Sequence, residues 1–287
     1  MAVLQRLLPL LIVTALLVAV LLRRPPLAVP DRLGGVARST RRWRLAGLLF
    51  GLAAAAASAQ SGTLGRGLLL AGPLFGLCVL LGVVAGELGV RAPAGARRSA
   101  SVEVRRVRDY LPWPLLSTVG AATVLLLALL AFTSAIGSAD DLGRAGRWLT
   151  RACSALVSEG RGPWPGTFYA WPLVAVVLIG LVVAGVALLS VTRRPRQGED
   201  SVLDDALRRE VVTGVVAAIG LLVTVPLVGV GVIAAAGLLQ ICAAPLAWTV
   251  IGTLLLAVVP LALVLGVWCV AVLATPGRVR PAEPVRS

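Results

Sequence analysis

Residues 246–274 read LAWTVIGTLLLAVVPLALVLGVWCVAVLA, twenty-nine positions without one charged side chain. A helix that is apolar all round has no polar face to turn to water. A bilayer core takes roughly 20 such residues per crossing, because a helix satisfies its own backbone hydrogen bonds in lipid. The pattern recurs outward from this stretch. Six more apolar stretches lie at residues 3–22, 45–59, 67–90, 115–136, 172–191 and 211–236. The expected fold class is all-α: a polytopic membrane helical bundle of about seven transmembrane helices, filling residues 1–287 as a single domain. Stretch 45–59 is the shortest, and its Ala53–Ala57 run adds little hydropathy. Stretch 246–274 is long enough to tilt. Stretch 3–22 has Arg6 before its apolar run, as a signal peptide would. It closes on Arg23-Arg24-Pro25-Pro26 with no small-residue cleavage site, so it reads as a retained span.

Composition supports this reading. The chain is 58% hydrophobic and 14% charged, where soluble domains average about 25% charged. Its mean hydropathy is +0.94. All 27 basic residues are arginine, with no lysine and no histidine, and the net charge is +14. Without lysine there is no Schiff base, which excludes a seven-span retinal protein. Without histidine there is no imidazole base, haem ligand or zinc ligand.

The arginines also set an expected orientation. Twenty-one of the 27 follow the first, third, fifth and seventh stretches, and six lie on the other side. Positive segments stay cytoplasmic, so the N-terminus is expected outside and the C-terminus inside. Trp43, Tyr110, Trp113, Trp171 and Trp248 fall at span edges, where amphipathic rings favour the headgroup zone. A basic excess also suits nucleic acid. Here it is divided among short juxtamembrane segments, so the expected partner is anionic headgroups on the cytoplasmic side, and nucleic acid is not expected.

The connections are short. Segment 193–210 offers Asp204–Arg208 and Asp205–Arg209 as i,i+4 pairs, predicting a short helix that runs into the sixth span. Asp204, Asp205, Arg208 and Arg209 are then either a docking helix for a membrane or cytoplasmic protein partner or, preferably, a solvated extension. In 91–114, Val104, Val107 and Leu111 share a helical face suited to the lipid interface. The outer loop 137–171 is expected to hold a short amphipathic helix begun by Asp140 or Asp141 and resting on the membrane surface, followed by an aromatic-anchored turn, GPWPGTFYAW, with a ligand lid as the alternative.

Cys78 and Cys269 fall inside spans. Cys153 and Cys242 both fall on the expected outer, oxidising side, so a disulfide between them is predicted. Glu87, near the inner end of the third stretch, is the one clear acid inside a span. It reads mainly as an interfacial pair with Arg91 and secondarily as a coupling carboxylate. Phosphate-binding, dinucleotide and GxSxG motifs are missing, and no cysteine spacing suggests a metal. No catalytic, cofactor-binding or metal residues are assigned, and no cofactor is expected. Small pairs at four-residue spacing, such as Gly47/Gly51 and Gly72/Gly76, predict close helix packing.

The stretches DDLGRAGRWLT, GPWPGTFYAWP, RRVRDYLP and LDDALRR resemble a group of uncharacterised actinobacterial multi-pass integral membrane proteins of the Streptomyces type. The resemblance runs from Arg41 to about Arg209 and implies a cell-membrane, multi-pass location but no activity. The leading expectation is a non-enzymatic envelope scaffold, sensor or accessory subunit. Next comes a transporter or permease subunit for an apolar or zwitterionic substrate. A carboxylate-based membrane enzyme, built on Asp140 or Asp141, comes last.

Overall fold

A computed structural model describes residues 31–61, 65–88, 107–193 and 201–274. The elements are α1 (Asp31–Gln60), α2 (Arg66–Leu88), a 3-10 turn (Val107–Asp109), α3 (Trp113–Ile136), β1 (Leu149–Ala152), β2 (Ser158–Arg161), α4 (Thr167–Arg193), α5 (Ser201–Gln240) and α6 (Leu246–Ala274). The expected span 3–22 and Arg91 lie outside the described residues. Five helices, α2 to α6, are long and apolar enough to cross a membrane. Stretch 45–59 belongs to α1, which does not reach that standard. Its first half carries Asp31, Arg32, Arg38, Arg41, Arg42 and Arg44, so its apolar run is too short.

Helix α5 is the centre. Of its apolar stretch 72% is buried, against 28–33% for the other four. It packs on α2, α3, α4 and α6, while α1 lies along α2. Small residues set these distances. A Cβ on Gly76 would stand 2.5 Å from the Cα of Leu222 in α5. A Cβ on Gly47 of α1 would stand 3.0 Å from the Cα of Gly82 in α2. Such approaches trade side-chain volume for backbone contact. The outer helices turn Leu49, Phe50, Leu178, Val182 and Val186 away from the bundle, exposed as a lipid-facing surface requires.

The connection 137–166 corrects the expected amphipathic helix. It is a β-hairpin, β1 antiparallel to β2, with Leu149 opposite Arg161 and Ala152 opposite Ser158. Gly143 and Gly146 both adopt positive φ, +76° and +71°, which breaks a helix where the pattern wanted one to grow. Asp140 accepts the Leu142 and Arg144 amides, closing a turn instead of capping a helix. Leu142 and Leu156, which an amphipathic helix would have turned inward, are exposed. Trp164 is fully buried and donates from Nε1 to the Thr133 carbonyl of α3, 2.8 Å away. The Thr133 hydroxyl in turn donates to the Pro165 carbonyl at 2.7 Å.

Candidate functional site

Two polar assemblies occupy opposite ends of the bundle. At the end where α5 begins, its first turns gather three other elements. Arg44 of α1 pairs with Glu210 at 3.2 Å, and the arginine side chain is only 5% exposed. The Tyr110 hydroxyl, just after the 3-10 turn, donates to Asp205 at 2.9 Å. Arg208 is fully buried and donates from Nη1 to the Val191 carbonyl of α4. A cation against the last carbonyls of a helix complements its macrodipole.

The helix expected to run into the sixth span is present from Ser201. It is the start of α5, continuous with the apolar part. Asp205 is half-buried and bonded to Tyr110, Arg208 is buried against the end of α4, and Arg209 is exposed. The side chain of Asp204 lies outside the described residues. Tyr110, expected at the headgroup zone, is buried, whereas Trp43, Trp113 and Trp171 are exposed, the last two near helix ends. Glu87 is buried at the same end of α2, and its expected partner Arg91 lies outside the described residues. Arg44 and Glu210 were not anticipated. They stand 166 residues apart, and no local spacing links them.

At the opposite end the hairpin is fastened to the turn between α5 and α6. Cys153 and Cys242 are disulfide-bonded, with Cα atoms 5.5 Å apart, inside the usual range for such a bridge. Glu159 of β2 accepts the Cys242 amide at 2.8 Å and pairs with Arg161. Arg161 donates to the Gln240 carbonyl at 3.0 Å. Arg151 donates to the Ala243 carbonyl at 2.7 Å and lies over the Trp248 ring. Ala243 itself has φ +46°, a left-handed position that these bonds hold in place.

The hairpin end also contains a carboxylate with a displaced pKa. Desolvation pushes the Asp140 carboxyl up. Hydrogen bonds from the Arg144 amide and guanidinium, the charge of that guanidinium and the Leu142 amide outweigh it and hold the group below its ordinary 3.8. Asp140 thus works as a turn-former.

Cys153, Glu159 and Cys242 bring their ligand atoms within 4.8 Å of one another. The sequence reading assigned no such group. Two thiolates and a carboxylate would suit a tetrahedral zinc ion, but the sulfurs supply them only once the bridge is reduced.

Set beside known proteins, the chain matches no family model, no curated protein and no solved structure.

Proposed function

We propose that this chain is a non-enzymatic, multi-pass protein of the cell membrane, acting as a scaffold, sensor or accessory subunit of the envelope. The carrying observation is the state of α5. The central helix has its charged first turns tied to α1, α4 and the 3-10 turn, and its far end tied to a disulfide-bonded hairpin. Such groups serve cohesion, and a catalytic set would need them free to meet substrate. The arginine distribution supports an N-terminus outside, a C-terminus inside and contact of the knot end with anionic headgroups. The disulfide supports the same sidedness, since it needs an oxidising compartment.

Labelling in intact cells with a membrane-impermeant maleimide tests this. Cys153 and Cys242 should react only after external reduction, and cysteines introduced at 195–200 should stay unlabelled. Reaction at 195–200 in unbroken cells overturns the orientation.

A permease subunit is the second reading. Pro73 of α2 and Pro226 of α5 lie at one contact, where a Cβ on the adjacent Gly72 would meet Val225. Neighbouring prolines weaken both backbone ladders at one level. Stoichiometric copurification with a nucleotide-hydrolysing subunit, and stimulation of its hydrolysis, would favour this reading over the first.

A further inference from the structure

The first residues of α2 and α4 meet at the hairpin end, and two arginines converge there on one ring. The guanidinium carbon of Arg147 lies 3.9 Å from the Phe168 centroid, and that of Arg66 lies 4.9 Å from it. The two cations are therefore within about 9 Å of each other. Their Nε atoms are buried, and among the described residues neither has a hydrogen-bond partner. The acid at hand is Asp140, and it is committed elsewhere. Arg144 takes its Oδ2 at 2.7 Å, leaving Arg147 at 3.8 Å. Arg66 has no carboxylate within ion-pair distance among the described residues. Asp141 is exposed.

Charge arithmetic makes this place anomalous. Two guanidiniums, Arg144 and Arg147, share one carboxylate, the third, Arg66, faces Arg147 across the Phe168 ring region with none, and two helix N-termini add partial positive charge nearby. Like charges held together around a half-buried ring are costly unless an anion offsets them. A stacked guanidinium also has a fixed plane, so its edge donors are pre-aimed. A tetrahedral oxyanion with several acceptor oxygens can accept from two such forks at once.

We propose that Arg66 and Arg147 form a binding site for a phosphate group, as a monoester or diester, at the hairpin end of α2 and α4. The residues just inside each arginine are apolar, Leu68–Leu70 on α2 and Leu173–Val174 on α4. In the membrane reading above, that places the site at headgroup depth, on the leaflet opposite the knot. A lipid headgroup and a free phosphate share this chemistry. The site rests on that reading for its lipid source alone, because binding in detergent does not depend on which end faces outward.

The test uses the purified full chain in detergent. Short-chain phosphatidic acid, inorganic phosphate and diacylglycerol are titrated separately. Binding is read from the thermal midpoint and from the adducts retained in native mass spectrometry. Phosphatidic acid or inorganic phosphate should raise the midpoint, and diacylglycerol, which lacks the phosphate, should not. A response to phosphatidic acid alone assigns a headgroup, and a response to inorganic phosphate assigns the free anion. Arg66→Gln should weaken the response roughly tenfold, since a charged hydrogen bond is removed. Arg66→Gln with Arg147→Gln should abolish it. Arg66→Lys with Arg147→Lys, which keeps the charge, should retain part of it. Arg209→Gln, exposed at the opposite end of the bundle, should leave it intact. No response to either phosphate probe in the wild type, or equal responses in wild type and Arg66→Gln, overturns the proposal.

Discussion

Glu210→Gln should destabilise the bundle more than the loss of one surface charge could explain. The mutation leaves the Arg44 guanidinium, 5% exposed, without the opposing charge 3.2 Å away. At an effective dielectric of about 20 the gross attraction over that distance is about 5 kcal/mol. Desolvation of both groups consumes much of it, less on the glutamate side, which is 23% exposed. Leaving the arginine alone should therefore cost about 3 kcal/mol. Arg44→Met removes the buried cation and leaves a carboxylate that can turn to solvent, so it should cost less, about 1–2 kcal/mol. The double variant should cost no more than Glu210→Gln alone, a coupling of about 1.5 kcal/mol or more. Reversible unfolding in mixed micelles, titrated with SDS and followed by the fluorescence of the seven tryptophans, measures all four corners of the cycle. Single costs that simply add, within about 0.5 kcal/mol, would refute the claim that this pair joins α1 to α5.

The remaining expectations concern packing, the bridge and acid. Gly76→Ala should cost about 1–3 kcal/mol, because its Cβ meets the Leu222 backbone. Gly120→Ala, with nothing within 4 Å, should be neutral or stabilising in the same unfolding assay. Cys153→Ser, or reduction of the wild type, opens a closure of 89 residues. It should lower stability by up to about 4 kcal/mol in the chain-entropy model, and an unchanged midpoint would show that the bridge contributes nothing. The Asp140 carboxyl is held below its ordinary 3.8, so its contribution is complete above that value and is lost as pH falls through the lower folded value. Amide exchange at 142–149 should therefore accelerate below about pH 4, and Asp140→Asn should exchange fast at every pH.

The apolar elements were legible because lipid demands long uncharged runs, and such runs are local properties of a sequence. Helix α6 covers 246–274, the stretch marked by the absence of charge. In α1 the same logic reached its limit, since arginines occupy half the helix. The pairing of Cys153 with Cys242 was accessible through compartment, not geometry. The knot was not legible. Arg44 and Glu210 lie 166 residues apart, and Tyr110 and Asp205 lie 95 apart, and periodicity does not say which helix faces which. Arg208 misled because its spacing satisfies an i,i+4 rule, while its burial is decided by the end of α4. In the 137–171 loop the apolar spacing was outweighed by two glycines at positive φ.

Helix α5 is anchored at its first turns by Arg44, Tyr110 and Val191, and beyond its last turn by the bridge at Cys242. A rod pinned at top and bottom can neither slide along its axis nor rotate about it without breaking a pin. It acts as a stator, and relative movement in this protein falls to the rods around it. The lower pins are an ion pair and two hydrogen bonds and the upper one is covalent, so Glu210→Gln and reductant should loosen the two ends independently.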